Sequence, residues 1–164
     1  KLESGGITNP SIDTLQKLHY TKIAAHGHSL GAATIAYSFK EFKEYSFVVL
    51  ESCYDNIDHA FEHRMERIHL PLLLAYPIKK FSEIRLDIDA KELYPENYMD
   101  EIACPVLFMC GNKEWQIPVA ESKKLFNKCG ASEKYFHVFD GANHQDLLAF
   151  SRDEYINVWN KIVK

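Results

Sequence analysis

The sequence has no long apolar run, no C-x-x-C pair, no basic stripe and no low-complexity tract, and each absence removes a class of function. The longest apolar stretch, Leu70 to Ile78, is interrupted by Pro71 and Pro77 and falls far short of the roughly 20 residues that cross a bilayer. No membrane span is expected within the chain. The lysine pairs Lys79-Lys80 and Lys123-Lys124 are too short to track a phosphate backbone, and a formal net charge of −4 attracts none, which argues against a nucleic-acid partner. The four cysteines, Cys53, Cys104, Cys110 and Cys129, lack the spacing of a metal or redox pair. A chain of 164 residues can bury one core without disulfides, so a reducing, cytoplasmic setting is the expectation. No methionine precedes Lys1, which leaves room for an upstream segment with its own targeting signal.

Glycine and proline divide the chain into short apolar runs alternating with longer amphipathic ones, the pattern of an α/β protein with a mostly parallel sheet. A first helix with Ile12, Leu15 and Leu18 on one face, capped by Ser11 or Asp13, is expected to feed a strand over Lys22 to His26. Leu30 to Phe39 reads as a helix rich in small residues. Strands are expected over Ser46 to Ser52, Val106 to Cys110 and Lys134 to Phe139, with helices over Val119 to Lys128 and Leu147 to Val163. Residues 54–103 exceed the roughly 2 to 6 residues of an ordinary connection and read as an inserted helical cap. Within it, Ile57, Phe61, Met65 and Ile68 recur at helical spacing; Leu70 to Tyr76 and Ile84 to Ile88 show no decisive period.

The chemistry centres on Gly27-His28-Ser29-Leu30-Gly31, a G-x-S-x-G set between an expected strand and an expected helix. Such a turn lifts the serine hydroxyl above the sheet edge, and glycines two residues either side avoid collisions between the strand and the helix it brings together. Ser29 is therefore the candidate nucleophile. The N–H of Leu30, at the helix start, is positioned to face a developing oxyanion. A serine hydroxyl needs a base, and His144 in Gly141-Ala142-Asn143-His144 follows the last strand on a turn at the same expected edge. His26 and His28 flank the turn without an easy path around it. Glu114, three residues past Gly111 in the loop after the third strand, is the candidate acid; Asp55 and Asp140 are rivals. His59 and His63 have the i, i+4 spacing of a metal pair, but the intervening residues do not make H-E-x-x-H, and a solvated helix face accounts for them. No metal and no cofactor is expected. Cys110 reads as core.

Together, Gly27-His28-Ser29-Leu30-Gly31-Ala32, the run Ile102-Ala103-Cys104-Pro105-Val106-Leu107-Phe108 with Gly111-Asn112-Lys113-Glu114 and Ile117-Pro118, and Gly141-Ala142-Asn143-His144 resemble the later part of an α/β hydrolase. The branch resembled is that of small lysophospholipases, acyl-protein thioesterases and dipeptidyl-peptidase-like enzymes. The resemblance implies the α/β-hydrolase fold, with Ser29 as nucleophile, Glu114 as acid in place of the usual aspartate, and His144 as base. It implies a serine hydrolase acting on an ester or thioester of a small or acyl-chain substrate, with a serine peptidase or a non-catalytic binding protein of the same fold as alternatives. Members place several strands before the elbow and draw a second oxyanion donor from the loop after one of them. Ser4-Gly5-Gly6 resembles the tail of that region, so the N-terminal strands are expected to be absent from this chain or supplied by another, leaving the Ile23 strand as an open edge.

Overall fold

Four short runs pair side by side: β1 (Ile23–His28), β2 (Tyr45–Glu51), β3 (Val106–Gly111) and β4 (Lys134–Phe139). The computed structural model describes residues 14–162 apart from 16 and 88. Every pairing is parallel and the strand order is β1-β2-β3-β4. The register aligns His28 with Glu51, Glu51 with Met109, and Gly111 with Phe139. The carboxyl ends of all four strands therefore meet at one edge of the sheet, and the residues that follow them, from Ser29 to Asp140, share that edge.

A parallel sheet is covered on both faces, so its strands are apolar on both. On one face Val48, Leu50, Val106 and Phe108 pack with Ala32, Ala33, Ile35 and Ala36 of α1 (Leu30–Ser38) and Leu125 of α4 (Val119–Lys128). On the other, Val49, Leu107, Met109 and Phe139 pack with Tyr155 and Val158 of α6 (Arg152–Trp159). The alanines of α1 are fully buried because their missing side-chain bulk lets the helix backbone lie close to the sheet. Cys110 is buried in this core, and burial pushes its thiol up to about 12, which keeps it inert.

Between β2 and β3 run α2 (Ile57–Arg67), α3 (Leu72–Leu86) and three single turns over Ala90–Leu93, Pro95–Asn97 and Met99–Glu101. The helix α3 was not expected. It passes through Pro77, and its exposed face carries Leu73, Leu74, Tyr76, Phe81 and Ile84, so the apolar residues do not alternate with polar ones as helical periodicity requires. At the other end, the single helix expected over Leu147 to Val163 is two: α5 (Leu147–Phe150) and α6, separated at Ser151, whose φ of −147° is extended. Of the first expected helix, Thr14, Leu15 and Lys17 are helical; its expected caps Ser11 and Asp13 lie outside the described residues, as do Ser4 to Gly6.

The face of α2 that carries His59 and His63 is not merely solvated. His59 Nδ1 lies 2.8 Å from Asp55 Oδ1, and His63 Nε2 lies 2.7 Å from Glu121 Oε1 on α4. Lys124 Nζ donates to Asp55 Oδ2 at 2.8 Å and reaches Glu96 at 2.6 Å. Two imidazoles and one ammonium thus satisfy two buried carboxylates and fasten α2 to α4. Asp55, His59 and Glu121 stand close enough to share an ion, but each already has its partner in this network.

Candidate active site

The site is built on the turn between β1 and α1. Ser29 has φ 54° and ψ −116°, a conformation that costs an L-residue about 1–3 kcal/mol and persists only where its surroundings enforce it. Three contacts do so. Ser29 N–H donates to Glu51 O on β2 at 2.8 Å, Ser29 O accepts from Ala33 N–H at 3.1 Å, and a Cβ on Gly27 would stand 2.4 Å from the Gly31 carbonyl carbon. The expectation for Gly31 does not hold. Among the described residues, a Cβ there would meet nothing within 4 Å outside its own helix, so within them the close approach is required of Gly27 alone. Although Ser29 is the N-cap residue of α1, its side chain makes no capping bond and turns away from the helix.

That hydroxyl lies 3.0 Å from His144 Nε2, and His144 Nδ1 lies 2.9 Å from Glu114 Oε2. Nδ1–H donates to the carboxylate, which leaves Nε2 to accept from the serine O–H. The two loops that supply histidine and acid are knitted together. Lys113 N–H donates to Ala142 O at 2.9 Å, Gly141 N–H donates to Asn112 Oδ1 at 2.7 Å, and Asn112 Nδ2 donates to Asp140 Oδ1 at 2.7 Å. A Cβ on Gly111 would fall 2.2 Å from Ala142 O, so this junction also needs a glycine. Glu114 is buried, and its second oxygen accepts from Gly111 N–H at 2.7 Å and from Ser52 Oγ–H at 2.6 Å. The added methylene of glutamate thus spans from a loop that stands back to an imidazole in front of it.

Leu30 is the first residue of α1, a position whose N–H has no partner within the helix, and it opens beside Ser29 at the positive end of the helix dipole. The structure leaves the rival acids elsewhere: Asp55 is held by His59 and Lys124, and Asp140 by Asn112. His28 is nearer than the sequence suggests. Its ring lies 4.7 Å from that of His144, and burial, together with the neighbouring His144, holds its pKa below the ordinary value. His26 faces the other way, 2.6 Å from the buried carboxylate of Glu51, which also accepts the Tyr155 hydroxyl. Sequence reasoning missed both Ser52 and Glu51. The available signal was positional, since each ends an apolar run at the edge where Ser29 was expected.

Comparison with known structures identifies the fold. An esterase of Pyrococcus furiosus superposes with a TM-score of 0.72 at 20% identity, over 93% of this chain and 57% of its own. This chain has the α/β-hydrolase fold. An acylaminoacyl peptidase of Pyrococcus horikoshii shares it, with a TM-score of 0.60 at 14% identity, over 83% of this chain and 22% of the peptidase. Among curated proteins, the α/β-hydrolase chain is 29% identical to Protein bem46 of Schizosaccharomyces pombe over 131 residues, which is 77% of this chain and 38% of bem46. The chain thus spans between a third and three fifths of the length of bem46 and the esterase. No family model matches it.

Proposed function

We propose that the protein is a serine hydrolase acting through an acyl-enzyme on Ser29. The observation that carries this reading is the unbroken line of hydrogen-bond contacts from Ser29 Oγ through His144 to Glu114, at 3.0 and 2.9 Å. In this reading His144 Nε2 takes the hydroxyl proton as Ser29 attacks an acyl carbonyl, and the buried Glu114 carboxylate holds the ring and balances the imidazolium. The Leu30 N–H, with the α1 dipole behind it, faces the oxyanion. His144 then returns the proton to the leaving group, and water attacks the acyl-enzyme by the same route.

The substrate is an ester or thioester with a small or acyl-chain group. The exposed apolar face of α3, within the segment that we read as a cap over the hydrolase domain, supports an apolar acyl portion, and the likeness to an esterase supports the bond type. The likeness to a peptidase supports the amide alternative, so the assay must offer both. A fluorophosphonate probe tests the core of the reading: the protein is expected to label, and Ser29→Ala to lose labelling entirely. Glu114→Gln, which no longer fixes the tautomer of His144, is expected to lower turnover on the order of 10⁴-fold. A panel of nitrophenyl esters, thioesters and anilides then reads the bond class. Absence of labelling in the protein itself would return it to a non-catalytic binding role on the same fold.

A further inference from the structure

The acid of this constellation is a glutamate, which has one more rotatable bond than aspartate and so cannot fix its carboxylate by the position of its Cα alone. One oxygen, Oε2, faces His144. The other accepts two hydrogen bonds, from Gly111 N–H and from Ser52 Oγ–H. These donors differ in kind. Gly111 is the last residue of β3, the strand that leads directly into the loop carrying Glu114, whereas Ser52 directly follows the last residue of β2, a separate strand of the sheet.

Ser52 is also an expensive choice of residue. Its φ is 47°, in the left-handed region where glycine is unstrained, and its N–H donates to Met109 O at 2.8 Å to extend the β2-β3 ladder. The ladder needs no side chain there. The side chain that is present is completely buried, and its hydroxyl donates to Glu114 at 2.6 Å. The residue before it, Glu51, holds the Ser29 N–H through its carbonyl at 2.8 Å. Two consecutive residues, the last of β2 and the one after it, therefore touch both ends of the constellation.

We infer that Ser52 is a positioning residue of the proposed hydrolase site: its hydroxyl, fixed to the sheet, sets the plane of the Glu114 carboxylate so that Oε2 meets His144 Nδ1–H. The inference rests on the hydrolase reading for its consequence in rate, but not for its consequence in geometry. Without the hydroxyl, Glu114 keeps the donor at the end of β3, three residues before it, and loses its tie to β2, the strand whose Glu51 carbonyl holds the Ser29 N–H.

The test is a set of variants read in two ways. Ser52→Gly removes the hydroxyl and suits the left-handed backbone, so its thermal midpoint should equal or exceed that of the parent. Its fluorophosphonate labelling should slow about tenfold, the loss that accompanies a charge-assisted hydrogen bond. Ser52→Ala, which keeps the Cβ, should slow labelling to the same extent. In a Glu114→Ala background, Ser52→Gly should slow labelling no further, because nothing remains to be positioned. Labelling of Ser52→Gly at the parent rate, or an equal further loss in the Glu114→Ala background, would overturn the inference. The second reading is the proton resonance of His144 Nδ1–H, which should shift or broaden in Ser52→Gly and Ser52→Ala. An unchanged resonance overturns the inference whether or not the protein labels. Failure of the parent to label overturns the hydrolase reading alone.

Discussion

Two glycines flank Ser29 at equal distance in the sequence, yet contact demands only one of them. A methyl on Gly27 collides with backbone atoms of Gly31 and Ala32, which cannot move without opening the elbow, whereas a methyl on helical Gly31 meets nothing among the described residues. Gly27→Ala is therefore expected to cost about 1–3 kcal/mol, the range for overpacking a close contact, and to abolish probe labelling. Gly31→Ala should keep labelling and gain about 0.5–1 kcal/mol from the removal of a flexible helix residue. Urea unfolding of the two variants reads both signs. Glu114 offers a second contrast. Shortening it to aspartate withdraws the carboxylate from His144 Nδ1, now 2.9 Å away, and a displacement of about 1 Å in such a site is expected to lower kcat by about 10²-fold. A Glu114→Asp variant as fast as the parent would show that the loop adapts freely to either acid.

At the scale of elements, α2 is fastened to α4 by a network of imidazoles, carboxylates and one ammonium. Burial alone pushes the His59 imidazole down, but the Asp55 carboxylate outweighs it and holds His59 above its ordinary value of 6.5. Burial pushes Asp55 up, and Lys124 and His59 together outweigh it in the opposite direction. Burial and the nearby Asp55 hold Glu121 up despite its bond to His63. A base raised in the fold stabilises fully below its ordinary value, and that contribution fades as pH rises through the raised one. The docking of α2 is accordingly expected to weaken on the alkaline side of 6.5, by about 0.2–1 kcal/mol for a pair in which His59 is half exposed. Amide exchange along α2 at pH 6 and pH 8.5 measures this, and His59→Gln should remove the difference. A pH dependence that survives His59→Gln would assign it to another group. The same elements show where sequence periodicity stops being informative. The pattern of Ile57, Phe61 and Met65 gives α2, but α3 carries apolar residues on its exposed face and a proline at its sixth position, so neither period nor breaker rule describes it.

For the molecule as a whole, the sheet ends on one side at β1, which pairs with β2 alone among the described residues. Its outward backbone groups are a template for another strand, and the exposed Ala24 does nothing to repel one. The 164-residue chain produced by itself is expected to self-associate as concentration rises. Ala24→Lys, which places a charge on that edge, should reduce the association without altering the circular dichroism spectrum. Sedimentation velocity distinguishes the two chains, and equal association would locate the contact elsewhere, with the apolar face of α3 as the next surface to alter.

The amino-acid sequence by itself determined the four strands, the helices α1, α2 and α4, the parallel character of the sheet, and the neighbourhood of Ser29, because these depend on local pattern: apolar runs bounded by glycine and proline, and a turn that only certain residues tolerate. It also placed Glu114 and His144 after successive strands, where a parallel sheet brings loops to one edge. Only the tertiary structure decided which atoms meet there. The knitting of the Asn112 and Gly141 loops, the tie from Ser52 to Glu114, the pairing of His59 and His63 with buried carboxylates, and the nearness of His28 to His144 join residues from different elements. Such contacts leave no period and no spacing in the chain, since they arise from register and packing across the sheet rather than from the backbone between them.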